Sequence, residues 1–255
     1  MRLIAISGAA SGIGAAIRRR LERDGARVLG IDLRDAEIIA DLSHAEGRAA
    51  AIAAVRERSR GTLDGLVACA GLGPQVVDHE RVVSVNYFGA RDLLAGLRDA
   101  LAAGQQPSAV AISSNSSRMP GMETSLAAAC LAGQEDEARA LARSLDGSQV
   151  YAGSKLALAR WVRRQAPTPE WAGCGVRLNA VAPGATMTPL LQDGLDDPHY
   201  GPAIRGFPVP LGGFGTPDQI AGAVAFLLGP DGTFCCGSIL YVDGGSDAMI
   251  RQDDY

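Results

Sequence analysis

Short apolar runs recur along the chain, at Leu3 to Ser7, Arg27 to Asp32, Glu37 to Ala40, Asp64 to Cys69, Ala109 to Ser113, Val176 to Ala180 and Ser238 to Val242. Helix-type stretches lie between most of them. A strand that is apolar throughout belongs in a sheet covered on both faces, and strands joined through helices pair in parallel. The pattern therefore predicts an α/β fold, a Rossmann-type doubly wound parallel sheet of about seven strands. With 255 residues, 47% of them hydrophobic, the chain can bury a substantial core, and residues 1–255 are expected to form one domain.

Two segments break the rhythm. Within 115–150, Ser125 to Gly133 and Glu135 to Leu145 read as two short helices where a plain strand-to-helix connection would suffice, so this stretch is expected to be a small helical insertion. Between Thr188 and Gly215, five prolines and six glycines accompany Leu190, Leu191, Phe207 and Phe214. An ordinary surface loop rarely carries so many large apolar side chains, and 188–215 is expected to be a mobile flap over an apolar ligand.

Composition narrows the partners. A net charge of -4 argues against a polyanion-binding surface, and Arg18-Arg19-Arg20 reads as a solvated helix face, so no nucleic acid is expected. Five cysteines, odd in number and without Cys-x-x-Cys spacing, read as mostly buried free thiols in a reducing compartment. His44, His79 and His199 are scattered, and no metal site is expected. No uncharged apolar run reaches the roughly eighteen residues of a membrane span. The stretch after Arg2 is too interrupted by glycine and serine for a signal sequence, so a soluble, cytoplasmic protein is expected.

Candidate chemistry begins at the first strand. Gly8-Ala9-Ala10-Ser11-Gly12-Ile13-Gly14 follows it directly and opens a helix, the context in which glycines let the backbone approach a pyrophosphate at a helix N-terminus. Asp32 ends the second strand eighteen positions after Gly14, close to the spacing of an acid that binds the adenosine ribose hydroxyls. A carboxylate there repels a 2′-phosphate, so NAD(H) is favoured over NADP(H), with Arg34 nearby acting against that preference. Asp41 either accepts from the adenine amino group or caps a helix begun around Ser43. In Cys69-Ala70-Gly71 the small residues either let the chain pass beneath the cofactor or serve plain strand-end packing.

A second constellation lies further on. The chain holds a single lysine, Lys155, four positions after Tyr151 and on the same helix face. Reduction of a carbonyl needs a hydride on carbon and a proton on oxygen. Tyr151 can give that proton if a nearby cation lowers a phenol pKa that is otherwise near 10, and Lys155 is placed to do so. Ser113 and Ser114 end the fifth strand at the carboxyl edge of the sheet, where a hydroxyl stabilises developing charge on a carbonyl oxygen. Ser114 is the chosen donor. Asn86, in Val85-Asn86-Tyr87-Phe88, falls mid-helix, where an amide needs a reason, and is read as holding a water next to Lys155.

Together these residues resemble the short-chain dehydrogenase/reductase family over the whole chain. That resemblance implies a catalytic tetrad of Ser114, Tyr151, Lys155 and Asn86. It implies cofactor contacts from Gly8, Ser11, Gly12, Ile13, Gly14, Asp32, Asp41, Leu42, Ala70 and Gly71, from Tyr151 and Lys155, and from a nicotinamide turn holding Pro183, Gly184, Thr186 and Thr188. Cys69-Ala70-Gly71 replaces the family's usual Asn-Asn-Ala-Gly, so the role of its asparagines does not carry over. Ser114 and Tyr151 stand much further apart than in most members. That insertion, with Ile31 to Glu37, Ala70 to Gln75 and Ser84 to Ala90, resembles the bacterial branch that interconverts 3α-hydroxysteroids and 3-oxosteroids with NAD(H) and reduces other carbonyls. The resemblance further implies a homodimer through the helix around Thr216 to Leu228 and the last strand. Rival readings are a general xenobiotic carbonyl reductase and a non-catalytic NAD sensor, which would not need Tyr151 or Lys155.

Overall fold

Ser7, the last residue of the first strand, pairs with Ile31 on one side and Ala68 on the other. The structure is a computed structural model in which residues 1–119 and 124–253 are described. Its strands are β1 (Leu3–Ser7), β2 (Arg27–Asp32), β3 (Ile38–Ile39), β4 (Gly65–Ala68), β5 (Ser108–Ile112), β6 (Arg177–Pro183) and β7 (Ile239–Val242). They form one sheet in the order β3-β2-β1-β4-β5-β6-β7, with every pairing parallel. Strand order reverses between β1 and β4, which opens a crevice at their carboxyl ends.

The helices are α1 (Gly12–Arg23), α2 (Ala45–Ser59), α3 (His79–Val83), α4 (Ala90–Gly96), α5 (Arg98–Ala102), α6 (Thr124–Leu131), α7 (Glu135–Ala142), α8 (Gly147–Gln165), α9 (Pro189–Asp196), α10 (Gly201–Arg205), α11 (Pro217–Leu228) and α12 (Ser246–Ile250). Alternation along each strand splits the core into two layers. Ile4 and Ile6 point into a cluster with Ile17, Leu21, Ile220 and Val224, from α1 and α11. Ala5, Leu66 and Ala109 point the other way, toward Leu94, Leu158 and Val162, from α4 and α8. None of the described helices is long and apolar enough to cross a membrane.

Several boundaries differ from the sequence pattern. β3 is two residues rather than four, because the Glu37 carboxylate turns back to accept from the Gly30 amide at 2.8 Å and from Arg18. That engagement also makes Arg18 a partly buried bridge instead of a member of a solvated face, while Arg19 stays exposed. β6 runs on to Pro183, since Val181 and Ala182 still pair with β7. Among the cysteines Cys130 is buried, Cys69 and Cys235 are half-buried, and Cys174 and Cys236 are exposed, so the expectation of mostly buried thiols fails where the chain turns near the surface. Both helices expected in 115–150 are present as α6 and α7, while Pro120 to Glu123 lie outside the described residues.

Candidate active site

The crevice encloses about 560 Å³ and runs along the carboxyl edge of the sheet from Asp41 to Phe207. At its floor the glycine turn is sterically obligatory. Gly8 sits at φ +72°, and a Cβ on it would lie 2.8 Å from the Ala70 Cα, while one on Gly14 would lie 1.9 Å from the Gly8 carbonyl oxygen. Ser11 is the N-cap of α1 but makes no side-chain cap bond, so the first turn of α1 presents its amides to the crevice. Asp32 steadies this turn, its carboxylate accepting from the Ala10 amide at 3.0 Å and from the Leu33 amide at 2.7 Å. Ser7, which sequence reasoning passed over, does the same for the next strand by accepting from the Cys69 and Ala70 amides. Its position directly before the glycine turn was the available signal.

Asp41 and Leu42 line the far end of the crevice with Arg81. Asp41 accepts from the Ser43 amide at 2.9 Å, but α2 starts at Ala45 with His44 as its N-cap, so Asp41 does not cap that helix. Burial alone would raise the Asp41 carboxyl. Its hydrogen bonds from Ser43, with Arg81 and His44 nearby, outweigh burial and hold it below the ordinary value. Arg34, by contrast, is 86% exposed and reaches toward Asp35.

Tyr151 and Lys155 stand on α8, whose start is fixed by a capping box between Asp146 and Gln149. Ser113 donates to the Lys155 carbonyl at 3.0 Å and so ties α8 to β5. That leaves Ser114 to face the cavity together with Tyr151, where it accepts from the Ser116 hydroxyl at 2.9 Å. Burial raises the Tyr151 phenol above its usual pKa, and the nearby Ser114 hydroxyl opposes that rise. The expected lowering by Lys155 is absent: the ammonium is 6.0 Å from the centre of the Tyr151 ring and donates to the Ile112 carbonyl at 2.9 Å. Desolvation lowers Lys155 itself to about 8. Cys69, below it, is pushed by desolvation up to about 12 and stays a neutral thiol.

Asn86 lies within a π-helical stretch, Ser84–Gly89, between α3 and α4. Such a bulge swings one side chain out of α-helical register and often marks a functional position. Fully buried, Asn86 exchanges two hydrogen bonds with the Leu72 main chain, at 2.8 and 3.0 Å, and donates to Ser154 at 3.4 Å. Its carboxamide thus anchors the loop following Gly71 rather than meeting Lys155. At Gly71 itself a Cβ would come within 3.3 Å of the Asn86 oxygen and 3.4 Å of the Lys155 nitrogen, which explains why that position is bare.

The end of β6 and the turn after it carry Pro183, Gly184, Thr186 and Thr188, all on the crevice wall. Gly184 packs against Asp243, where a Cβ would be 2.7 Å from its Cα. Thr188 caps α9 through the Leu191 amide and lies against Gly12, joining this turn to the glycine turn. From here α9 and α10 cover the cavity with Leu190, Leu191, Ile204 and Phe207, while Phe214 is not part of the wall. The segment leaves and rejoins the body at one place, where Thr186 and Gly215 form a parallel bridge. Gln75 donates to the Leu190 carbonyl at 3.1 Å and fastens this cover to the loop after β4, a contact that no sequence motif announced. Among the described residues no group of three or more metal-ligating side chains comes together.

Residues 2–150 match the family model described as short chain dehydrogenase, and residues 143–247 match one described as enoyl-(acyl carrier protein) reductase. The chain is 49% identical, over 100% of both sequences, to the 3-alpha-hydroxysteroid dehydrogenase/carbonyl reductase of Comamonas testosteroni. It is 32% identical, over 97% of each, to cis-4-hydroxycyclohexanecarboxylate dehydrogenase of Sinomonas cyclohexanicum. Among solved structures, the 3-alpha-hydroxysteroid dehydrogenase from Pseudomonas sp. B-0831 complexed with NADH superposes with a TM-score of 0.96 at 50% identity, covering 99% of this chain and 100% of that one.

Proposed function

The chain belongs to the short-chain dehydrogenase/reductase family, and we propose that it interconverts 3α-hydroxysteroids and 3-oxosteroids with NAD(H) and reduces other carbonyl compounds at the same site. The observation that carries this reading is the meeting of Ser114 and Tyr151 on the wall of one apolar cavity, with Lys155 buried behind them. Both relatives whose names specify hydroxysteroids cover essentially the whole chain.

The dinucleotide fits the residues present. Gly8 and Gly14 leave the space that a pyrophosphate needs, the first turn of α1 offers amides to it, and Asp32 at the end of β2 stands where ribose hydroxyls would donate. Asp32 repels a 2′-phosphate while Arg34 points to solvent, which favours NAD(H) over NADP(H). Pro183, Gly184, Thr186 and Thr188 would hold the nicotinamide, and Lys155 its ribose. When bound in reduced form, the nicotinamide supplies the hydride to the carbonyl carbon. Tyr151 holds the proton that the carbonyl oxygen takes up, because burial keeps its phenol protonated at neutral pH. Ser114 donates to the same oxygen as its charge grows, and the cover formed by 188–215 excludes water and selects an apolar ring system. In the alcohol-oxidising direction Tyr151 receives the proton.

The insertion at 115–150 lays α6 on α8 and α7 on α3, a placement that would obstruct a helix-to-helix contact between subunits. A homodimer through α11 and β7 is supported by the half-exposed β7 edge and by Phe226 and Phe234, exposed at 42% and 104%. Five free cysteines agree with a cytoplasmic setting.

The deciding assay offers purified enzyme androsterone and a panel of small alcohols, each with NAD⁺. Turnover of androsterone with higher kcat/KM than the small alcohols is expected. Turnover of the small alcohols without any of the steroid would defeat the substrate assignment.

A further inference from the structure

We propose that Arg81 is a binding residue for the adenine end of the dinucleotide, its guanidinium covering one face of the base while Asp41 meets the edge. The proposal rests on the dinucleotide reading above. Arg81 belongs to α3 and lines the crevice beside Asp41, Leu42 and Val85, at the end above β2 and β3. Its Nη2 lies 3.8 Å from the Asp41 carboxylate, too far for a hydrogen bond, and its Nε is buried without a partner. Asp41 therefore holds the guanidinium only as a loose ion pair, with no hydrogen bond, and its flat face stays available. Planar and weakly hydrated, a guanidinium stacks on aromatic rings in a way an ammonium does not.

The surroundings hold that part of α3 in place from both sides. Asp78 caps α3 by accepting from the Arg81 amide at 3.0 Å. On the outer side the neighbouring Glu80 receives Arg139 at 3.1 Å and Arg143 at 2.5 Å, so the insertion helix α7 grips α3. Across the gap Asp41 has one oxygen committed to Ser43 and the other turned toward Arg81. A purine entering there would find an acceptor for its exocyclic amine, aliphatic contact from Leu42 and Val85, and a cation over its π face.

The test compares binding of NADH with binding of reduced nicotinamide mononucleotide, which lacks the adenine, by calorimetry. In Arg81→Met the Kd for NADH is expected to rise about three- to thirtyfold, the range of a partly exposed cation–π contact. Arg81→Lys should recover only part of the loss, since it restores charge without the plane. The mononucleotide should bind wild type and both variants within twofold. Equal NADH affinity in Arg81→Met, or a parallel loss for the mononucleotide, overturns the assignment. If wild-type enzyme binds no NADH, the dinucleotide reading itself falls.

Discussion

The Lys155 ammonium stands 6.0 Å from the centre of the Tyr151 ring, and its hydrogen bond goes to the carbonyl of Ile112 at the end of β5. In the protein alone, the two side chains on successive turns of α8 therefore share a wall without touching through their polar ends. The phenol shares that wall with the Ser114 hydroxyl. This division of contacts gives each residue a separable role and a separable test.

Tyr151→Phe keeps the ring and removes the proton. Turnover should drop by about two to four orders of magnitude, the scale of a lost general acid, while the Kd for NADH stays within a few fold. Steady-state rates and fluorescence titration on one preparation check both halves.

Adjacent serines should separate cleanly. Ser114→Ala removes a donor at the reacting oxygen and should lower kcat by about 10²- to 10³-fold. Ser113→Ala breaks only the bond to the Lys155 carbonyl, so its main effect should be on stability, about 1 kcal/mol in urea unfolding.

Burial lowers Lys155 to about 8 in the folded chain from an ordinary value of 10.5. Below pH 8 both folded and unfolded chains carry the proton, and the cost of keeping a charge buried is fully present. Between about pH 8 and 10.5 the unfolded chain binds more protons than the folded one, so this residue's contribution makes stability rise with pH, by about 3 kcal/mol in all. Lys155→Met should accordingly melt above wild type at pH 7 while losing activity, with the gap closing toward pH 10. A variant less stable than wild type at pH 7 would contradict this account.

Two glycines should respond with opposite sign. An alanine at Gly14 must displace the Gly8 carbonyl, costing roughly 1–3 kcal/mol and weakening NADH binding. At Gly222, inside α11, the only neighbour within 4 Å is an Arg20 nitrogen at 3.9 Å, and alanine should add about 0.5–1 kcal/mol through helix propensity and a less free unfolded chain. Thermal melts of the pair settle it.

Much of this was legible in the sequence because sheet and glycine turn are local phenomena. Apolar runs with small residues at fixed points leave few alternatives, and the seven strands emerge in the expected places. What escaped depends on contacts between distant segments. The π-helical register of Asn86, its bonds to Leu72, and the Gln75 link to Leu190 have no sequence spacing to announce them. The Tyr151–Lys155 interval was visible, but the direction of the phenol's shift depended on how deeply α8 is buried, which periodicity does not measure. Exposure of Cys174 and Cys236 was missed for a related reason, since an apolar neighbourhood in sequence is not one in space.

The bridge between Thr186 and Gly215 joins the two ends of everything that covers the cavity. Whatever lies between those residues is an excursion from a fixed stem, so its length and lining can be rewritten without disturbing the end of β5 and helix α8, which position Ser114 and Tyr151. Evolution, or a loop graft, is thereby free to change the molecules this scaffold accepts while the proton-handling residues stay where they are.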